Sequence, residues 1–390
     1  EQVPVLQEYK PSHGMWELED ADVCLELLLQ LDPLIQQKAI ILEWPKGEKF
    51  RITKIAGMEH LRVSIHEKGS WFEMEGQLQI DEDKVMGMQE LLALSARAKG
   101  HFVELSPGKF MALTTEFRRR LREISGVMTP QKNGKMQLHP LAAPALQDFT
   151  EALTHLETDK KFKQNVERLR KAFAKKFVLP ENFNASLRPY QMEGYKWLNR
   201  CAEGGVGACL ADDMGLGKTI QALALLTCRG ELGPALIVAP ASVCRNWVKE
   251  TEKFAPALRP LLFGEGDRAA LLEQAGPNDM LIVTYDLMTR ESEHFIKKHF
   301  ATIILDEAQA IKDRASKRSE TAMQLQGNFR MIMSGTPLEN HLGELWNLFN
   351  FANPGLLGSI DSFHERFTLP IERFQDESRR EQLRRLVHPF

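Results

Sequence analysis

Four residues have the types and spacing that phosphate chemistry requires: Lys218 and Thr219 at the end of ADDMGLGKTIQ (211–221), and Asp306 and Glu307 within IILDEAQAIKD (303–313). A lysine that ends a glycine-rich loop reaches the β and γ phosphates of a nucleotide, and the hydroxyl after it reaches magnesium. Gly215 and Gly217 let backbone N–H groups converge on an anion with no Cβ in the way, and a helix starting near Lys218 turns its positive end to the same point. Asp213, Met214, Gly215, Leu216, Gly217, Lys218 and Thr219 therefore form a candidate ATP-binding loop. One position departs from the pattern G-x-x-x-x-G-K-[ST], which asks for glycine where this chain has Asp212.

The paired acids supply the other half of the chemistry. Alone, two carboxylates after an apolar run mark an ordinary loop. Behind a phosphate loop, Asp306 becomes the candidate magnesium ligand with Thr219, and Glu307 the base that polarises an attacking water. A third stretch, MIMSGTPLEN (331–340), breaks from an apolar run into Ser334, Gly335 and Thr336. Small hydroxyl residues there would touch the acids and a nucleic acid together; the alternative is a turn that caps a helix after Asn340.

These stretches need elements to hold them. From Leu187 onward, short aliphatic runs (VGACLA, PALIVAP, MLIVTY, ATIILDEA, FRMIMSGT) alternate with amphipathic helical stretches. Strands apolar on both faces belong to a parallel sheet covered by helices, with its ligand crevice at the strands' carboxyl ends, which is where the polar stretches fall. The fold class expected is α/β, preceded by a smaller α+β domain over 1–178 and a linker over 179–186, with the ATPase lobe over 187–390. In the first part, HLRVSIHEKG and WFEMEGQLQI alternate as strands do, and HFVELSPGKFMALT reads as a hairpin turned by Pro107-Gly108. DEDKVMGMQELLALSARAKG, TTEFRRRLREI, AAPALQDFTEALTHLE and KKFKQNVERLRKAFAKKF read as helices. The last has one apolar stripe, through Phe162, Val166, Leu169, Phe173 and Phe177, and is otherwise dense in lysine and arginine. That charge is either a solvated face or a nucleic-acid patch.

Composition sets bounds. A 390-residue chain has room for two or three domains, and a net charge of -3 gives no whole-protein field toward nucleic acid. The five cysteines (Cys24, Cys201, Cys209, Cys228, Cys244) form no C-x-x-C pair, so structural zinc is not expected and a reducing, cytoplasmic setting is. No apolar run approaches the roughly 20 residues of a membrane span.

Taken in order, LRPYQMEGYKWL, DDMGLGKTIQ, LIVAPASVCRNWVKE, LIVTYD, ILDEAQAIKD and MSGTPLEN resemble the Swi/Snf-like family of superfamily-two helicase-type ATPases, over about Leu187 to the end. Family members share a D-E-M-G-L-G-K-T type loop, so Asp212 fits the family, with Asp213 in place of the usual Glu. The resemblance implies a RecA-like lobe in which Gln191 contacts adenine. Pro240, Ala241, Ser242, Thr284 and Tyr285 would lie on the nucleic-acid side, and Ser334 to Thr336 would couple the two. For Tyr285 and Trp247, core packing is the favoured role. The family's engine has a second lobe that supplies arginine fingers, and EQLRRLVHPF resembles the approach to the junction with it. A chain ending there is expected to turn ATP over slowly.

The function expected is a DNA-dependent ATPase that translocates on duplex DNA and remodels or displaces bound protein. A protein partner would dock through the amino-terminal domain, which resembles the region before the motor in bacterial members, and no membrane contact is expected. The alternatives are a nucleotide-gated protein-interaction module and the motor subunit of a restriction or defence complex; RNA is a less favoured track.

Overall fold

The structure is a computed structural model that describes residues 1–390 apart from 1, 2, 8, 10, 12, 14, 45–49, 69, 70, 82, 83, 99, 132, 265–267 and 336–340, and apart from the side chains at 144 and 145. It divides into two compact units, Glu1–Asn165 and Val166–Phe390.

In the first unit, α1 (Ala21–Gln36) precedes β1 (Arg51–Ala56), β2 (Leu61–Lys68), β3 (Trp71–Gln79), β4 (Val85–Gly87) and α2 (Met88–Arg97). Then come β5 (Phe102–Ser106), β6 (Lys109–Leu113), α3 (Thr115–Ser125), β7 (Met128–Pro130), β8 (Met136–Leu138), α4 (Gln147–Glu151) and β9 (His155–Thr158). One sheet runs β1-β6-β5; the other runs β7-β8-β3-β2-β9, with β4 also paired to β3. The period of two read from the sequence is present, with Leu61, Val63 and Ile65 of β2 and Phe72, Met74 and Leu78 of β3 all buried. The hairpin turns where expected, Gly108 taking the positive φ (75°) that glycine adopts without strain.

Two helical expectations are corrected. In AAPALQDFTEALTHLE only Gln147–Glu151 is α-helical, following a 3-10 turn over Pro140–Leu146, and His155–Thr158 is a strand parallel to β2. Pro144 has no N–H to continue a helix, and pairing with the edge of β2 satisfies the backbone of His155–Thr158. In DEDKVMGMQELLALSARAKG the helix begins only at Met88, because Val85–Gly87 pair with β3. Helix α1, capped by the Asp20 carboxylate on the Asp22 N–H, was not among the expected elements.

Helix α5 (Lys160–Ala174) contains the division between the units. Its later turns belong with the second, since Leu169 and Ala172 sit beside Gly204 and Arg168 donates to the Gly204 carbonyl at 2.7 Å. Part of the charge on it and just after it is engaged in ion pairs, Lys161 with Glu67, Lys171 with Glu167 and, one residue past its end, Lys175 with Glu203. Residues 179–186, expected as a linker, also lie within the second unit: Phe183 is buried and the Asn184 N–H bonds to the Phe254 carbonyl.

The second unit continues through α6 (Pro189–Gly204), β10 (Ala208–Leu210), α7 (Lys218–Arg229), β11 (Ala235–Ala239), α8 (Ala241–Phe254), β12 (Arg259–Leu262) and α9 (Arg268–Gln274). Next are β13 (Asp279–Thr284), α10 (Tyr285–Arg290), α11 (Ser292–Lys297), β14 (His299–Phe300), β15 (Thr302–Leu305), α12 (Lys317–Gln324), β16 (Gln326–Gly327), β17 (Arg330–Met333), α13 (Leu342–Ala352), α14 (Ile360–Phe363) and α15 (Glu377–Val387). Six strands form one sheet in the order β10-β17-β15-β11-β13-β12, every pair parallel. The five strands expected from sequence are all in it. The sixth, β12, is a four-residue RPLL whose Pro260 and short length hide it from pattern reading. All of β11 and β15 is buried, as strands covered on both faces must be.

The strand that leads into the phosphate loop is anchored at its start. Asn353, buried at the end of α13, accepts from the Gly207 N–H at 2.7 Å and donates to the Gly207 carbonyl at 3.0 Å. A Cβ at Gly207 would lie 2.2 Å from the Ala352 carbonyl oxygen, so only glycine permits this approach. Asn353→Ala leaves both Gly207 groups buried and unpaired. We expect it to destabilise the unit by about 2 to 4 kcal/mol, read as a lowered urea midpoint with the m-value unchanged.

Candidate nucleotide site

The strand order explains what converges. β17 lies between β10, which leads to Asp212–Thr219, and β15, which leads to Asp306. Its own end, Ser334–Gly335, therefore emerges between the phosphate loop and the acids. A Cβ on Gly335 would fall 2.7 Å from the Met214 Cγ, so the turn after β17 packs directly on the loop.

The loop owes its shape to two glycines in left-handed conformation, Gly215 (φ 82°) and Gly217 (φ 79°). Gly217 immediately precedes α7, whose first residues are Lys218 and Thr219. The unpaired N–H groups of that first turn and the helix dipole favour an anion there. Lys218 Nζ lies over the loop, donating to the carbonyls of Asp212 (2.7 Å) and Asp213 (3.1 Å). Asp213, Met214, Gly215 and Leu216 are exposed at the surface. Gln191 braces the loop from α6: its Nε2 donates to the Leu216 carbonyl at 3.0 Å and its Oε1 accepts from the Arg188 N–H at 2.9 Å. The Tyr190 hydroxyl donates to the same Leu216 carbonyl.

Asp306 stands at the tip of β15, 5% exposed. Its Oδ2 accepts from the Trp247 indole N–H at 2.8 Å and its Oδ1 from the Glu307 N–H at 3.0 Å, while its own carbonyl accepts from the Tyr285 hydroxyl at 2.9 Å. Burial pushes its carboxyl above the usual carboxylate range; the Trp247 hydrogen bond pulls it back, the nearby Glu307 charge raises it, and the Lys218 charge lowers it. Desolvation also holds the Tyr285 phenol well above its ordinary value, so it stays a neutral donor.

Glu307 has a left-handed backbone (φ 49°), a conformation costing about 1 to 2 kcal/mol for a residue with a Cβ. Its Oε2 accepts from Gln309 Nε2 at 2.8 Å, and Gln309 Oε1 accepts from the Ser334 hydroxyl at 3.1 Å. The second acid and the end of β17 are thus joined by one side chain. Gln309 and Trp247 were not among the site residues read from sequence. Gln309 lay in plain view two places after Glu307, whereas nothing in the spacing of Trp247 tells an indole donor from a core ring.

The remaining expected residues lie at neighbouring strand ends. Pro240 follows β11 and leads into α8, with Ala241 and Ser242 exposed. Thr284 ends β13 and accepts the Leu287 N–H, and Tyr285 is buried at the start of α10. Thr336 lies outside the described residues.

The donor set fits magnesium. Asp306 and Thr219 offer hard oxygen ligands, and a buried carboxylate lifted by desolvation is one that a cation would stabilise. Among the described residues no three His, Cys, Asp or Glu side chains gather as a metal cluster, but magnesium beside a nucleotide needs only one or two protein ligands plus phosphate and water.

Comparison with known proteins identifies the family of this region. A family model described as the SNF2-related domain matches residues 190–390. YwqA of Bacillus subtilis, a candidate ATP-dependent helicase/translocase, is 45% identical over 227 residues, which is 54% of this chain and 24% of that protein. The chromatin-remodeling ATPase INO80 of Arabidopsis thaliana is 38% identical over 232 residues, 54% of this chain and 15% of that one. A solved structure of the Sulfolobus solfataricus SWI2/SNF2 ATPase core in complex with dsDNA superposes with a TM-score of 0.51 at 38% identity, covering 55% of this chain and 46% of that chain. The chain thus spans about a quarter of the length of the Bacillus relative. Among the described residues no helix is long and apolar enough to cross a membrane.

Gly217→Ala puts a Cβ 2.5 Å from Gln191 Nε2 at a positive φ. We expect it to cost about 1 to 2 kcal/mol of stability and to weaken binding of a fluorescent ATP analogue by about tenfold, measured by thermal melt and titration. Unchanged nucleotide affinity would show that the loop conformation described here is not the binding one.

Proposed function

The chain belongs to the Swi/Snf-like family of SNF2-related ATPases, and from that membership we propose that its site binds magnesium-ATP, hydrolyses it, and uses the cycle to move along duplex DNA and displace or remodel bound protein. The observation that carries the reading is the convergence at β17: phosphate loop, paired acids and Ser334–Gly335 meet at the ends of three adjacent strands.

In this reading Lys218 leaves the Asp212 and Asp213 carbonyls for the β and γ phosphates, and the N–H groups around Gly215–Thr219 cradle them. Asp306 and Thr219 hold magnesium, which when bound neutralises charge on the phosphate oxygens. The Glu307 carboxylate takes the proton of the attacking water, oriented by Gln309. Ser334, bonded to Gln309, passes the state of that carboxylate to the end of β17. Gln191, whose amide already holds Leu216, sets the loop beside the adenine position.

Duplex DNA as the track is supported by the Sulfolobus core, solved with dsDNA, and by the lie of Pro240–Ser242 and Thr284–Tyr285 at neighbouring strand ends. The first unit, which holds none of these residues, is assigned to regulation or partner binding.

Lys218→Ala tests the reading. We expect loss of nucleotide binding and of any DNA-stimulated phosphate release. Phosphate release that persists in the variant sinks the assignment. Glu307→Gln separates binding from chemistry: turnover should fall by about 10² or more, while ATP affinity stays within about twofold of wild type.

A further inference from the structure

Trp247 and Tyr285 come from different helices and reach the same residue. Trp247 lies on α8, less than two turns after Ala241, and gives its indole N–H to Asp306 Oδ2; Tyr285 opens α10 and gives its hydroxyl to the Asp306 carbonyl. The three strands that bring them together are neighbours, β13-β11-β15, with Ala239 beside Thr284 and Val238 beside Leu305. The Asp306 N–H in turn bonds to the Val238 carbonyl. Side chain and backbone of one acid are thus tied to the ends of two strands on one side of it, β11 and β13.

We propose that Trp247 and Tyr285 are positioning residues that clamp Asp306 for the magnesium-bound nucleotide, and that through them the starts of α8 and α10 bear on that acid when nucleic acid engages them. The second half rests on the assignment of Pro240–Ser242 and Thr284–Tyr285 to the track. Bare core packing does not account for the pair. A buried tryptophan can give its N–H to any backbone carbonyl, yet here the acceptor is a carboxylate oxygen. The Tyr285 hydroxyl likewise ends on the carbonyl of that residue and not on its own helix. At 1.5 Å of rise per residue, Trp247 stands about 9 Å along the axis of α8 from Ala241, and Tyr285 is itself the first residue of α10. A shift at Ser242 or Thr284 therefore alters a hydrogen bond to Asp306 without any rearrangement of the sheet.

The test uses the 390-residue chain and a fluorescent ATP analogue, titrated with magnesium or with EDTA, each with and without a short DNA duplex. Three variants are compared: Trp247→Phe, Tyr285→Phe, and site-specific benzothienylalanine at position 247, which keeps a bicyclic ring and removes only the N–H. The last guards against misfolding of Trp247→Phe, since Trp247 is fully buried. We expect loss of the N–H to weaken binding about tenfold in magnesium and to leave the EDTA affinity unchanged. We expect Tyr285→Phe to reduce the factor by which duplex raises magnesium-nucleotide affinity toward one. A parallel fall in magnesium and EDTA, or no fall in either, overturns the clamp and makes both residues structural. Full retention of the duplex effect in Tyr285→Phe and in the benzothienylalanine protein overturns the transmission. Failure of the wild-type chain to bind duplex sinks the track assignment and the transmission with it, while the magnesium-specific loss still decides the clamp.

Discussion

Burying the Asp306 carboxylate removes a charge from water, and the surroundings of that one group account for much of the second unit. An isolated buried carboxylate is costly enough that it would rather take a proton than stay charged. Here the Trp247 indole and the Glu307 N–H each donate to it, and the Lys218 ammonium supplies a countercharge. Each donor imposes a requirement elsewhere: α8 must start at Ala241 and carry a tryptophan less than two turns in, and the backbone at Asp306 must aim the next N–H back at its own side chain. Glu307 itself then takes a left-handed backbone. That strained conformation leaves the second carboxylate facing Gln309.

Strand order supplies the next constraint. In a parallel sheet every strand releases its chain at the same edge, so which loops meet depends only on which strands are neighbours. Placing β17 between β10 and β15 makes Ser334–Gly335 the element that can touch phosphate loop and acids at once. The glycine lets Met214 pack against the turn, since a Cβ there would fall 2.7 Å from its Cγ, and the serine hydroxyl donates to Gln309. A nucleotide that moved the loop would press on Gly335; a change at Glu307 would pull on Ser334. Both would act on one turn.

Much of this was legible in the sequence, for physical reasons that also mark where legibility ends. Five of the six strands announced themselves because a strand buried on both faces must be almost wholly aliphatic, as ALIVA of β11 is. The first unit was harder. HLET carries no apolar excess and becomes a strand only because the edge of β2 is there to pair with it. The end of that unit was read too late, since the stripe of α5 continues unbroken past Asn165 and only the partners of its later turns, Gly204 among them, assign them to the second unit. At the site, the loop and acids were visible as motifs, whereas the role of Trp247 depends on a contact across 59 positions that no local pattern encodes.

Asp212 shows how a departure from a consensus can be consistent with the chemistry. The consensus asks for glycine there, yet Asp212 is not among the described residues with positive φ, and the left-handed positions of this loop are Gly215 and Gly217. Backbone freedom at 212 is thus not required. Its carbonyl receives Lys218, and its carboxylate accepts from Gln221 Nε2 at 3.0 Å, tying the start of the loop to the first turn of α7. Gln221 reaches that position because α6 has Gly194 where any Cβ would fall 1.9 Å from its Oε1. A glycine at 212 would leave the amide of Gln221, which is fully buried, without that acceptor. The acid at 212, the glutamine at 221 and the glycine at 194 form one unit, and each is explained only by the other two.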